Sequence, residues 1–177
     1  MDISNIKIDI DDVNDNINDN INDNINDNIN DNDNDNHGDD DDIFLNSYIK
    51  NIINYCENII NILGYGLTEN IYHRALYQDL LNNNYNVDFK RIINIFYNNK
   101  NVGYVECDLL IEINNKECLI IELKTIQRIS KKEITQTKMY LKHIEKYEKK
   151  TGLIINFPIN NEDTKLFKIE YKQINLP

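Results

Sequence analysis

Between Ile43 and Leu63 the apolar residues Leu45, Tyr48, Ile52, Ile53, Cys56, Ile59, Ile60 and Leu63 recur at helical spacing, which predicts an amphipathic helix. Gly64-Tyr65-Gly66 ends it. Thr68 is placed to cap a second helix running to about Leu81, with Ile71, Ala75, Leu76 and Leu80 on its inner side. The Asn-rich run 82–84 breaks that pattern. Val87–Tyr97 and Val102–Ile113 read as strands joined by the polar turn 98–101, and Glu117–Lys124, rich in Ile and Leu, as a third, together an antiparallel meander. Lys131–Lys150 is predicted to be a helix, the run TGLIINF at 151–157 a short apolar strand, and Lys165–Ile174 a last, edge strand. The order α-α-β-β-β-α-β-β predicts an α/β fold, a mixed sheet with helices packed against it.

The second and third strands raise a problem of charge. If Asn114, Asn115 and Lys116 form the turn, residues whose numbers add to 230 face each other. Val105, Cys107, Leu109 and Ile111 then share a core face with Leu119, Ile121 and Leu123. The other face carries Glu106, Asp108, Leu110 and Glu112 with Cys118, Ile120, Glu122 and Lys124. Asp108 falls opposite Glu122, at about 5 Å, where like charges repel. Either both carboxylates are solvated on an edge hairpin, with Glu106 paired to Lys124, or a cation lies between them. An oxygen-only donor set suits Mg²⁺ or Mn²⁺ better than zinc. Such an ion lowers the pKa of a water and neutralises charge developing on a phosphate, the two needs of phosphodiester hydrolysis. Lys124, beside Glu122, is placed to orient or help deprotonate that water.

Composition divides the chain. Residues 1–42 hold 15 Asp against one Lys, a net charge of −14, within an overall −11, so the remaining 135 residues are mildly basic. The low pI therefore does not argue against a phosphate-bearing partner. In the first segment Ile17, Ile21, Ile25 and Ile29 mark a four-residue Asn/Asp/Ile repeat of poor helix formers and like charges, which reads as a disordered low-complexity tail. Setting Gly38 at the sixth position of an EF-hand loop puts Phe44 at the twelfth, where Glu is needed, so the acidic run is not that calcium site. Residues 43–177 are long enough for one domain with one core. Cys56, Cys107 and Cys118 are odd in number and lack metal-ligand spacing, as expected for reduced thiols in an intracellular protein. With no signal-peptide pattern and no apolar run of spanning length, the expectation is a soluble protein, neither secreted nor in a membrane.

Asp108, followed by Glu122-Leu123-Lys124 at the end of an apolar strand, resembles the core of the PD-(D/E)XK nucleases, with Cys107 where the label has Pro. The run GLTENIY at 66–72 is similar to the signature of the GxxExxY family within that superfamily, with Gly66, Glu69 and Tyr72 at the right spacing. Gly152-Leu153 followed by Ile155-Asn156-Phe157 is similar to that family's G-L-L-I-N-F strand, and Gln136 to Tyr140 to the QxxxY motif of the RecB-like branch. The resemblance covers roughly residues 45–173. It implies a restriction-endonuclease-like core, a central mixed sheet flanked by helices, with the site where the central hairpin splays. It also implies that Glu69, Asp108, Glu122 and the backbone carbonyl of Leu123 hold Mg²⁺ or Mn²⁺, that Lys124 serves the hydrolytic water, and that Gln136 and Tyr140 position the site or the nucleic acid.

Around that core the lesser candidates are Lys138, Lys142 and Lys146, every fourth residue of one predicted helix, which could hold backbone phosphates without regard to sequence. Tyr72 and Tyr140 could stack on bases or pack in the core. His73 is adjacent to the GLTENIY run and could approach the cleft, although a lone His is usually structural; His143 reads the same way. The expected function is a metal-dependent nuclease acting on nucleic acid, DNA first. The alternative is a catalytically silent nuclease-fold domain that binds nucleic acid or protein.

Overall fold

The structure is a computed structural model describing residues 37–159 and 168–176, with side chains from Ile43 onward. Residues 1–36 of the expected tail and 165–167 of the expected last strand lie outside the described residues. Eight elements follow in order: α1 (His37–Leu63), α2 (Glu69–Asn82), β1 (Val87–Tyr97), β2 (Lys100–Asn114), β3 (Glu117–Lys124), α3 (Lys131–His143), β4 (Lys149–Asn156) and β5 (Glu170–Ile174). The strands form one mixed sheet in the order β1-β2-β3-β4-β5. β1, β2 and β3 are antiparallel, β3 and β4 are parallel, and β5 returns antiparallel to β4. The parallel pair is the one joined through a helix, α3, as such a connection requires. This is the α/β arrangement the pattern predicts.

Both faces of the sheet are covered. One core joins the inner residues of α1 and α2 to Leu109, Ile111, Leu119, Ile121, Leu123, Leu153 and Ile155. The other joins Tyr140 and Leu141 of α3 to Cys107, Leu110, Cys118, Ile120 and Ile154. The alternative of a solvated edge hairpin does not hold: Leu110, Cys118 and Ile120 are buried, because the hairpin is central and α3 covers it. Near-continuous apolar runs such as Leu109-Leu110-Ile111 and Leu119-Ile120-Ile121 are what a sheet sandwiched between helices demands.

Several boundaries shift for identifiable reasons. α1 begins at His37 rather than Ile43. On α2 the buried stripe is Tyr72, Leu76 and Leu80 with His73, and Ile71, expected inside, is exposed. Asn98 and Asn99 both take left-handed backbone (φ 48° and 60°), so β1 and β2 meet in a tight two-residue turn and β2 starts at Lys100. α3 stops at His143 instead of continuing to Lys150. Ile144 and Tyr147 are buried in the core beneath α3, the Glu148 and Lys149 amides donate to the Lys116 carbonyl, and Lys149-Lys150 join β4 beside β3. The Lys stripe is cut accordingly: Lys138 and Lys142 are exposed on α3, whereas Lys146 lies beyond it and binds Glu112.

Candidate metal centre

The predicted register holds. Leu109–Ile121, Leu110–Ile120, Ile111–Leu119 and Glu112–Cys118 are paired, each adding to 230, before a bulge near the turn. Pairing of β2 with β3 then stops one step short of Asp108 and Glu122. At that level the Leu123 amide donates to Asp108 Oδ2 (2.9 Å), so a side chain takes over where the ladder opens.

β1 and β2 turn over at the same height. Leu109 packs toward α1 and α2, yet Cys107 packs beneath α3; likewise Phe89 belongs to the first core and Ile93 to the second. Strict alternation would have kept residues two or four apart on one face. The switch falls at Asp108 on β2 and at Lys90 on β1, where Lys90 has a left-handed backbone (φ 57°). For a residue with a Cβ this conformation costs about 1–2 kcal/mol, the kind of local strain that clusters at functional sites. Its effect is visible: Lys90 Nζ donates to Asp108 Oδ1 at 2.8 Å and lies 3.7 Å from Glu106 Oε1.

From the other side α2 contributes two groups. Thr68 caps the helix through its backbone, accepting from the Ile71 amide, without a side-chain cap bond. This sets Glu69 in the first turn, half-exposed, and His73 one turn later, buried. His73 Nε2 is 3.1 Å from Asp108 Oδ2 and 3.8 Å from Glu69 Oε1. One donor atom from each of Glu69, His73 and Asp108 lies within 4.8 Å of the others, a spacing that can hold a metal ion. Glu122 is 3% exposed at the end of β3, its Oε1 bound by Lys124 Nζ at 2.5 Å.

The local fields follow from this geometry. Burial alone would push the Asp108 carboxyl up, but His73, Lys90 and the Leu123 amide outweigh it and hold Asp108 well below the usual carboxylate range. Glu122 goes the other way: burial and then the Asp108 charge raise it, against the pull of Lys124. Burial would lower Lys124, and its bond to Glu122 more than restores it, so the ammonium stays charged. Two carboxylates whose environments push them apart are a mark of working sites.

A divalent ion fits these residues. Nδ1 of His73 and Oε2 of Glu122 are buried with no hydrogen-bond partner among the described residues, while His73 Nε2 faces Asp108 Oδ2. Leaving such groups unpaired costs free energy that a cation shared among them would recover. Imidazole nitrogen with carboxylate oxygens admits Mn²⁺ readily, and Mg²⁺ with less help from the nitrogen.

Of the residues expected at the site, Glu69 and Asp108 are brought into one group, and Glu122 and Lys124 form a pair beside it. Leu123 takes part through its N–H. Gln136 Nε2 donates to the Tyr140 hydroxyl at 2.6 Å, and Tyr140 is buried, its phenol raised by burial and by the charge of Glu122. Tyr72 is fully buried, with no face for a base: its ring stacks on Phe157 at 4.3 Å, and its hydroxyl donates to the Gly64 carbonyl and accepts from the Leu67 amide. It fixes the loop that leads into Glu69. Gly66 in that loop has φ 79°, and a Cβ there would stand 3.1 Å from the Ile159 carbonyl. Asn156 clamps the segment after Lys124, accepting from the Ile126 amide (2.9 Å) and donating to its carbonyl (2.8 Å). Tyr72 and Asn156 thus brace the segments next to Glu69 and Lys124.

Two further residues stand at the centre beyond those the pattern points to. His73 has a faint sequence signal, since it lies four positions after Glu69 and so on the same side of a helix. Lys90 gives no sequence signal, because its place depends on the left-handed kink in β1.

The model of the PD-(D/E)XK nuclease superfamily matches residues 46–169. No curated protein matches the chain. Among solved structures, the "Crystal structure of SSO0001" is similar at 21% identity with a TM-score of 0.43, over 62% of this chain and 50% of that one. This chain thus spans about half the length of that protein. With the match running from α1 to the start of β5, through every residue of the candidate centre, the chain belongs to the PD-(D/E)XK nuclease superfamily.

Proposed function

We propose that this protein is a metal-dependent nuclease of the GxxExxY type that hydrolyses nucleic-acid phosphodiester bonds, DNA first, at the splayed end of β2 and β3. The observation that carries the reading is the close grouping of Glu69, His73 and Asp108 beside Glu122, whose Oε2 is buried with no hydrogen-bond partner among the described residues. In this reading Glu69, His73, Asp108 and Glu122 hold the ion, with the Leu123 carbonyl as a further oxygen. A divalent ion supplies there a water of lowered pKa and positive charge against the developing charge on phosphorus.

The rest is done by side chains. Lys124, next to Glu122 and bound to it, would orient the attacking water and donate to a phosphate oxygen. Gln136 and Tyr140, bonded to each other on α3, supply the QxxxY pair and keep the wall beside Glu122 in place. Lys138 and Lys142, exposed on the same helix, hold backbone phosphates in a salt-dependent manner.

The test is cleavage of end-labelled DNA and RNA by the full chain with Mn²⁺, compared with Lys124→Ala. Cleavage of DNA that is lost in Lys124→Ala, with DNA preferred to RNA, supports the reading. Equal cleavage by both proteins would refute the role given to Lys124. No cleavage of either polymer would favour a silent nuclease-fold binding domain.

A further inference from the structure

Lys90 is a second ammonium at the same carboxylates, and the hydrolysis described above does not use it. The backbone holds it there: a left-handed residue inside a strand, at the height where β1 and β2 both change face, aims Nζ at Asp108 Oδ1. That oxygen belongs to the carboxylate that would ligate the ion. An ammonium at 2.8 Å and a divalent cation on the same carboxylate repel each other and so compete for it. The side chain is 34% exposed and has a way out, whereas His73 and Glu122 are enclosed. Its other neighbour, Glu106, is half-exposed and 3.7 Å away, a weak competitor for the charge.

We propose that Lys90 is the counter-ion of the metal-free centre, and that when the ion binds, Lys90 swings from Asp108 to a backbone phosphate of the nucleic acid. A four-carbon stem rooted at the rim of the centre suits that move, since Lys recognises phosphate as a mobile point charge. The phosphodiester is the anion that must approach there if the centre hydrolyses it. Metal and nucleic acid then load cooperatively: the ion frees the lysine, and the lysine holds the strand. The inference rests on the metal reading above.

Calorimetric titration of the full chain with Mn²⁺ tests it on the native protein, Lys90→Met, Lys90→Arg and Asp108→Asn, with Lys90→Gln replacing the Met variant if that does not fold. The Asp108→Asn isotherm accounts for ions taken up by acidic segments elsewhere. Removing the competitor should tighten Mn²⁺ binding about tenfold in Lys90→Met, whereas Lys90→Arg should match the native chain. In a Lys124→Ala background, which keeps the strand intact, Lys90→Met should weaken binding of a fluorescein-labelled DNA oligonucleotide about tenfold at saturating Mn²⁺, and far less without metal. Native Mn²⁺ affinity in Lys90→Met, or tighter Mn²⁺ with unchanged oligonucleotide affinity, would overturn the inference while leaving the metal centre standing. Identical isotherms for the native chain and Asp108→Asn would remove the metal centre, and the inference with it.

Discussion

Gly152 lies in β4, and its missing side chain is where α3 meets the sheet. A Cβ there would overlap Thr137 Cγ2, and would stand 3.4 Å from both Ile174 Cβ and Leu141 Cδ1. Thr137 is fully buried and its hydroxyl bonds the Glu133 carbonyl at 3.0 Å, so its methyl has no room to retreat. Gly152→Ala should therefore act as overpacking, costing about 1–3 kcal/mol. Thr137→Ser removes only the obstructing methyl and keeps the hydroxyl, at about 1 kcal/mol for one buried carbon. In the double variant the added methyl fills the space vacated, so its stability should return close to that of Thr137→Ser alone. Equilibrium urea unfolding reads this directly: Gly152→Ala lowers the midpoint by about 1 M at constant m, and the pair shows a coupling of at least about 1 kcal/mol. Additive losses, within about 0.5 kcal/mol, would refute the contact. α3 also carries Gln136 and Tyr140, so Gly152→Ala should lower cleavage and Thr137→Ser should restore part of it.

Three further outcomes follow from the same structure. Glu122 has a folded pKa above its ordinary 4.5, so the folded metal-free chain keeps a proton the unfolded chain has lost, and stability falls as pH rises from 4.5 through the raised value. Mn²⁺ needs the ionised carboxylate, so its affinity should climb over that window, and in Glu122→Gln both slopes should disappear; titrations across pH check this. Tyr72→Phe removes the hydroxyl between Gly64 and Leu67 and should cost about 1–2 kcal/mol, a fall in midpoint of about 3–8 °C in a thermal melt; an unchanged melt would mean the hydroxyl does not hold the loop. Cys56, Cys107 and Cys118 are free and buried, and burial pushes the Cys107 and Cys118 thiols up to about 12 and Cys56 higher still. An aromatic disulfide reagent should label them only as the chain unfolds, and rapid labelling of the native protein would contradict their burial.

The alternation of apolar residues carries much of this fold. The expected three-residue turn is instead Asn115-Lys116 with a bulge between Glu112 and Asn114, which leaves the β2–β3 register as expected, so the closeness of Asp108 and Glu122 is legible in the amino-acid sequence. What alternation does not show is that the ladder opens there, or that the hairpin is central; apolar residues at Leu110, Cys118 and Ile120 are the sign that both faces are covered. The end of α3 is hidden because 144–150 has helix-compatible residues, and only the burial of Ile144 and Tyr147 and the demand for a strand beside β3 stop the helix. Ile71 is exposed, against expectation, and His73 buried, because the inner stripe of α2 runs through Tyr72, Leu76 and Leu80. Lys90 is out of reach of any pattern, since lysine has no preference for the left-handed backbone (φ 57°) that sets its place.

The centre itself is tested most directly by the thermal midpoint of the full chain with and without Mn²⁺, in the native protein and in Asp108→Asn. Ions that bind acidic segments in the folded and unfolded chain alike do not move the midpoint, whereas a preformed site does. At a hundredfold excess over Kd the native chain should gain about 2.7 kcal/mol, a rise on the order of 10 °C for a domain of this size, and Asp108→Asn should gain little. An equal rise in both proteins, or none in either, would contradict a metal centre built on Asp108.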